Sequence, residues 1–409
     1  MRDFRLIITF FAAMGTILSS CGGRVIGDGT GGDEPSYIQI LERAEGGWTV
    51  ISVSPFDGSG DTLVVEAPME RLVVMSTSHI GFLDAIGRLD AVVGVSGLDY
   101  VYPVESGPGG ETTATHGTLR GGTGAERSEA SGGAEHSEPV EPPEPDSMGT
   151  VFPNGVVDVG YDAAPDYEKI VSVKPDLVLT YSVSAAKSPF VSKLEQLGIK
   201  TLTVNEHLEG HPLARASYVR LFGALTGEMA AADSVLEAVK CSYRAIAGSV
   251  AGSYSQPRKV LLNIPYNDQW FIPSKESYLT SMIKDAGGEV LGAMEGRATS
   301  SVISVEKAYT LSKDADCWLN VGWCSTMSQL TGINPIFEEM LRNIRSNAAA
   351  RGYGEDGLVW NDNKRLNPKG GNDIWQSGVA RPDLALKDLA SILHPGGDSG
   401  STIYYQSLD

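Results

Sequence analysis

His207 and His211 stand four residues apart with Glu209 between them, a spacing close to the one at which two imidazoles on one helical face hold zinc. The resemblance to a zinc-protease motif fails on two counts. The run reads HLEGH rather than HExxH, and Gly210 with Pro212 breaks the helix that would align the two rings. No GxxxxGK[ST] phosphate loop and no GxSxG nucleophile turn occurs in the chain, so neither nucleotide hydrolysis nor serine chemistry has a template, and no catalysis is expected. The chemistry left is binding. Trp323, Trp360, Lys364, Arg365, Asp373, Trp375 and Gln376 crowd the last third of the chain in or beside loop-like stretches. Aromatic rings give large, stiff, flat contact area, and the charges and amides beside them can fix the edge of a broad ligand. Packing inside a lobe is the competing use of the same residue types.

These side chains need strand ends and loops to carry them. In residues 164–181 (APDYEKIVSVKPDLVLTY), Asp166 can cap a short helix, Glu168 sits in its first turn where the helix dipole favours a negative charge, and Pro175 stops it. Residues 177–179 then read as a buried parallel strand, with Tyr181 just beyond its end. A helix at 192–197 and a strand at 198–204 continue the alternation, which is that of an α/β fold. Upstream, a strand at 72–75, a turn at 76–79, a helix at 80–89 and a strand at 91–95 open the same lobe. Open α/β sheets place ligands at strand ends, which makes His79, Tyr100 and Tyr102 candidates for a cleft wall; a turn histidine without a ligand is the alternative for His79. A helix at 215–225 closes the lobe, and the Ala-rich run 226–250 reads as one long connecting helix. A second lobe follows, with a strand at 259–264, a helix at 278–285, Glu306 at a helix start, a strand at 317–321 and a helix from 377 to 394.

The fold expected is therefore α/β, with two Rossmann-like lobes joined by a single long helix and a ligand cleft between them. Its expected divisions are 36–225, 226–252 and 253–409. At 409 residues the chain exceeds what one core usually supports. A net charge of −19, from 51 acidic and 32 basic side chains, argues against a nucleic-acid partner, because phosphate binding needs a basic face. Two early arginines, an apolar run at 6–18 and Leu18-Ser19-Ser20-Cys21 form the pattern of a bacterial lipoprotein signal over 1–20, with lipid attached at Cys21. The Gly-rich stretch 21–35 reads as a flexible tether, so the mature chain is expected in the periplasm or cell envelope, anchored to a membrane by lipid. A β-hairpin is expected within 37–66, around SPFDGSGD. Residues 104–149 are rich in Gly, Pro, Ser, Thr and Glu and read as a disordered insertion, which holds His116 and His136. Cys317 and Cys324 either pair across a small loop or remain buried thiols, and Cys241 is left over.

The stretch 164–181 also resembles the "E+I…L+PDLV" signature of periplasmic substrate-binding proteins of ABC importers, of the vitamin B12, haem and ferric-siderophore type. The resemblance runs from about 69 to 409 through RLVVMSTSHIGFLDAIG, DAVVGVSG, QLGIKTLTV, PSKESYLTSMIKDAGG and SVEKAYTLSKDADCWL. It implies a monomeric protein with no resident cofactor that captures cobalamin, haem or a ferric chelate and delivers it to a permease, the ATPase being a further chain. It implies that one surface glutamate per lobe docks on the permease, by position Glu168 and Glu306. It also implies that Trp270 and Phe271 enter the cleft and that Trp375 lies by it. With Tyr100, Tyr102, Tyr181, Trp360, Arg365 and Asp373 these make the expected ligand site; no metal ligands are assigned. The chain departs from the family in its insertion, in Val159-Gly160-Tyr161 where B12-type relatives carry a tryptophan, and in lacking an evident cluster of cleft arginines. Two other readings stay open. One is a bare Zn²⁺ or Mn²⁺ binder using His79 with Glu206 or His207; the other is a non-transport lipoprotein of the same fold.

Overall fold

The computed structural model describes residues 32–103, 152–251, 256–296, 300–354, 357–394 and 402–408. The expected signal segment with Cys21 and the expected insertion with His116 and His136 lie outside the described residues. Ahead of the lobes, β1 (Ile38–Glu42), β2 (Trp48–Val53) and β3 (Gly60–Val65) form an antiparallel meander. The expected hairpin is β2 with β3, and β1 adds a third strand whose Ile38 is buried in the core.

The first lobe holds β4 (Leu72–Val74), β5 (Val92–Val95) and β6 (Val157–Asp158), a small ribbon of β7 (Gly160–Tyr161) and β8 (Ala164–Pro165), then β9 (Leu177–Thr180) and β10 (Thr201–Thr203). The main sheet runs β10-β9-β4-β5-β6, every pair parallel. Every residue of β4 and β9 is buried, as strands covered by helices on both faces must be. The helix after β4 spans Thr77–Ala85, three residues earlier than the sequence pattern suggests, so Ser78 and His79 are helical and buried rather than in a turn.

Helix Val219–Thr226 closes the lobe on Gly227, which takes the left-handed conformation at φ +81° that a C-cap favours. The link between lobes is consequently Met229–Ala251, starting after Gly227 rather than at 226. In the second lobe come β11 (Arg258–Leu262), β12 (Trp270–Ile272), β13 (Gly288–Val290), β14 (Ser301–Ile303), β15 (Cys317–Leu319), β16 (Val359–Asn361) and β17 (Gln406–Ser407). Its sheet is ordered β13-β11-β15-β16-β17, parallel except for β17. Helices Met327–Ile333 and Ile336–Ala350 cross between β15 and β16 and had no counterpart in the sequence reading. A contiguous apolar core runs through both lobes, from Leu72 and Phe222 to Leu261 and Leu389. Cys317 and Cys324 are buried free thiols, each pushed up to about 11 by burial, and Cys241 is free and exposed. Among the described residues no helix is long and apolar enough to cross a membrane.

Candidate functional site

The ends of the strands in the two sheets carry loops that meet between the lobes. After β5, residues 99–102 reach across to the loop that follows β16. Gln376 donates from Nε2 to the Tyr102 carbonyl at 2.9 Å and accepts from the Tyr102 N–H at 2.9 Å. Asn367 Nδ2 donates to the carbonyls of Asp99 and Val101, both at 2.9 Å. Arg365 lies 4.9 Å from the centre of the Tyr102 ring and forms a 2.6 Å ion pair with buried Asp373. Gly81 and Gly371 let the lobes approach this closely. A Cβ would meet the Gln376 carbonyl oxygen at 1.9 Å in the first case and that of Tyr100 at 2.1 Å in the second.

The HLEGH run serves the same contact. Gly210 accepts from Ser281 in the second lobe at 2.8 Å, and a Cβ on it would lie 2.6 Å from the Glu276 carbonyl oxygen. His211 accepts from the Leu213 N–H through Nδ1 at 3.2 Å, capping helix Pro212–Ala216, and its Nε2 lies 3.5 Å from Asp285.

Between these contacts lies a cavity of about 30 Å³, bounded by Arg215, Tyr278, Asn320, Asp362, Trp375 and Tyr405. It is large enough for about two waters. Arg215 comes from the first lobe, and the others come from the second. The Arg215 guanidinium lies 4.8 Å over the Tyr278 ring, and its Nε has no hydrogen-bond partner. Asn320 sits at φ +58° at the end of β15, with its buried Oδ1 unpartnered. Burial pushes the Asp362 carboxyl, just past β16, up to about 6. Behind Arg215, buried Glu206 accepts from Ser78 at 2.6 Å and faces Arg215 at 3.7 Å, His207 at 3.8 Å and His79 at 4.0 Å. Burial alone would raise Glu206, but His207, His79 and Arg215 hold it down to about 2; burial lowers His79 to about 4, leaving it neutral at pH 7. Among the described residues no group of three or more His, Cys, Asp or Glu side chains has the geometry to hold a metal. The cationic Arg215 occupies the neighbourhood such an ion would need.

The structure sorts the expected site residues. Tyr102, Arg365 and Asp373 are brought together in the seam, and Trp375 stands at the cavity with 41% of its surface exposed. Tyr100 is exposed and meets Tyr161 edge-on at 6.3 Å; Tyr181 meets His207 edge-on at 6.1 Å and donates to Asp162 at 3.1 Å. Two expectations are corrected. Trp270 is fully buried, stacked on Trp318 at 5.8 Å and edge-on to Phe337 at 5.9 Å, with its indole N–H donating to the Leu262 carbonyl. Trp360 is likewise a core residue of β16, its indole N–H donating to the Gly357 carbonyl. Strand alternation is the cause for Trp270, since the pleat that turns it inward leaves Phe271 on the other, half-buried face. Glu168 and Glu306 are exposed in the first turns of helices Tyr167–Ser172 and Val305–Ser312, one in each lobe.

The sequence reading missed Arg215, Asn320 and Asp362. Asn320 and Asp362 end parallel strands, a position that does flag ligand contact. Arg215 had no such signal within its helix. A second concavity of about 380 Å³ lies between the β2–β3 turn and the loop after β9, lined by Ser54, Asp61, Tyr181, Ser184 and Lys187 among others.

A family model described as periplasmic binding protein matches residues 72–343. An uncharacterised lipoprotein of Methanocaldococcus jannaschii is 26% identical over 257 residues, 61% of this chain and 55% of that protein, so the chain spans about half the length of this curated relative. A periplasmic binding protein of Veillonella parvula superposes with a TM-score of 0.52 at 16% identity, over 85% of this chain and 98% of the other. A periplasmic haem-binding protein of Pseudomonas aeruginosa gives 0.52 at 16%, over 83% and 97%. At these identities the likeness is one of fold.

Proposed function

The chain belongs to the periplasmic binding protein family, and we propose that it is the substrate-binding lipoprotein of an ABC importer, capturing a metal chelate and passing it to a permease. The ligand class is cobalamin, haem or a ferric siderophore. The observation that supports this reading is that Tyr102 and Trp375 lie at the interlobe seam, beside the buried carboxyls of Asp373 and Asp362. Aromatic side chains at such positions offer flat area to a broad ligand, and the polar groups fix its orientation. The cavity itself takes only a small substituent, so the body of a chelate lies against the aromatic rim. Lipid at Cys21 holds the protein at a membrane of the cell envelope, the ATPase is a separate chain, and the protein acts by binding as a monomer. Ligand contact with both lobes favours one lobe arrangement, which the permease reads through Glu168 and Glu306.

Tryptophan-fluorescence titration of the mature protein with cobalamin, haem and ferric siderophores tests the ligand class, with Zn²⁺ and Mn²⁺ as controls. Saturable quenching by a chelate, weakened at least tenfold by Trp375→Ala, is the expected result. A response to the bare ions alone overturns it. For docking, Glu168→Arg with Glu306→Arg is expected to abolish stimulation of the cognate transporter while ligand affinity stays unchanged. Stimulation that survives both reversals refutes the docking role.

A further inference from the structure

Four parts of the chain meet at the HLEGH run: the segment that leads into β1, the first lobe, the linking helix Met229–Ala251 and the second lobe. Glu209 is buried, and its Oε1 accepts from the N–H groups of Ser36 at 2.8 Å and Tyr37 at 3.1 Å and from the Tyr218 hydroxyl at 2.9 Å. Ser217 Oγ donates to the Asp33 carbonyl at 3.3 Å. From the linking helix, Arg244 donates through Nε and Nη2 to one carboxylate oxygen of Asp33, and buried Lys240 lies 3.6 Å from Glu34. His211 extends the cluster to the second lobe. Its Nδ1 lies 3.7 Å from Asp33, and its Nε2 lies 3.5 Å from Asp285, the last residue of helix Tyr278–Asp285. Asp285 also accepts from the Tyr243 hydroxyl of the linking helix at 2.8 Å, and the Tyr243 ring stands edge-on to His211 at 5.9 Å.

We propose that residues 33–37 form a strap across the hinge, which ties the linking helix to the first lobe and, through His211, sets the spacing of the second. The stretch 21–35 has the composition of a flexible tether, yet Asp33 and Ser36 are fixed to residues 211 and 173 positions away in the chain. The match is chemical on both sides. Asp33 and Glu34 meet two cations spaced four residues apart, hence on one face of the linking helix. The strap amides satisfy a carboxylate oxygen that burial would otherwise leave with the Tyr218 hydroxyl, and an under-bonded buried carboxylate is costly. Gly210 holds the second lobe at the same corner, accepting from Ser281 at 2.8 Å. With the strap detached, His211 loses the contact that fixes its Nδ1 side, and the lobes are held less firmly at the hinge. On the lipid-anchor reading the chain leads from Cys21 straight into the strap, so a pull on that lead-in loads the hinge rather than either lobe alone.

The test is hydrogen exchange of the unliganded mature protein, read by mass spectrometry on peptides spanning 33–37 and 98–103, and it is independent of what the cleft binds. Arg244→Glu sets two carboxylates together at a side chain that is more than half exposed. It is expected to speed exchange at Ser36 and Tyr37 about tenfold, and at Tyr102, whose N–H is held across the seam by Gln376, about threefold. Adding Asp33→Arg restores opposite charges at the same place and is expected to return both peptides to the wild-type rates. His211→Asn keeps a side-chain acceptor for the Leu213 N–H and breaks the link to Asp285. In that background Arg244→Glu is expected to free the strap and leave Tyr102 unchanged. Strap amides that keep the wild-type rate in Arg244→Glu overturn the strap. A freed strap with Tyr102 unchanged in the otherwise wild-type protein overturns its hold on the lobes. Faster exchange throughout both cores that Asp33→Arg does not reverse also overturns it, because the change then lies in folding rather than in the strap.

Discussion

Replacing Trp270 with alanine separates a core role from a ligand role. The side chain is fully buried, and its ring stacks on Trp318 and meets Phe337 edge-on. Truncating a buried tryptophan to alanine typically costs about 3–5 kcal/mol, of which each aromatic pair accounts for roughly 0.5–1.5 kcal/mol. Loss of the 2.8 Å bond from the indole N–H also strands the buried Leu262 carbonyl, a penalty of about 1–3 kcal/mol. These contributions overlap, so the expected loss lies at the upper end of the range, about 4–5 kcal/mol. Urea unfolding followed by circular dichroism reads it as a lower midpoint. Trp270→Phe keeps much of the volume and is expected to lose less than half as much. Chelate affinity per folded molecule is expected to stay within twofold for both variants. A Trp270→Ala protein that unfolds like the wild type but loses the ligand would refute the core assignment.

Two further outcomes follow from the seam. Asp362 is raised from 3.8 to about 6 by burial, and Asp84 to about 6 by burial and the nearby Asp373. Because the folded state holds these protons more tightly than the unfolded chain, their contribution to stability is full below pH 3.8 and is lost as pH rises through about 6. Asp362→Asn is therefore expected to raise stability at pH 7.5 relative to pH 4.5, by at most about 3 kcal/mol as read by denaturant midpoints; an unchanged pH slope contradicts the assignment. Gly81→Ala places a methyl group against the Gln376 carbonyl and is expected to push the lobes apart, enlarging the radius of gyration in small-angle scattering and weakening chelate binding at least tenfold. A scattering curve identical to the wild type would show that the lobes do not pack through this glycine.

The α/β alternation was legible because buried parallel strands are short continuous apolar runs, as in 177–179 and 260–262, and because their helices carry caps. Asp166 and Ser304 both accept from the backbone where a capping residue should. Helix Ile336–Ala350 went unread although its apolar residues recur at helical spacing. The site was harder to read for a different reason. Trp270 and Trp375 are the same residue type in similarly polar surroundings, and only the pleat of β12 and the fold of the 362–376 loop place one in the core and the other at the seam. Arg215 acquires its role from a partner lobe whose nearest cavity residue lies more than sixty positions away in the chain, a distance no local pattern spans.

The seam also bounds the motion the function can use. Five described hydrogen bonds join the lobes through side chains to backbone: two from Asn367, two between Gln376 and Tyr102, and one from Ser281. At a net worth of roughly 0.5–1.5 kcal/mol each, they hold this arrangement of the lobes by a few kcal/mol. Moving a two-state equilibrium from mostly one form to mostly the other takes a differential affinity of about 5.5 kcal/mol. The two figures are of the same order, so a ligand that favours one lobe spacing can shift the population without a wide hinge. The long helix Met229–Ala251 suits that limit, since a continuous helix bends less readily than a pair of extended strands. Glu168 and Glu306, held in the first turns of capped helices in opposite lobes, are two surface points whose separation follows the spacing of the lobes.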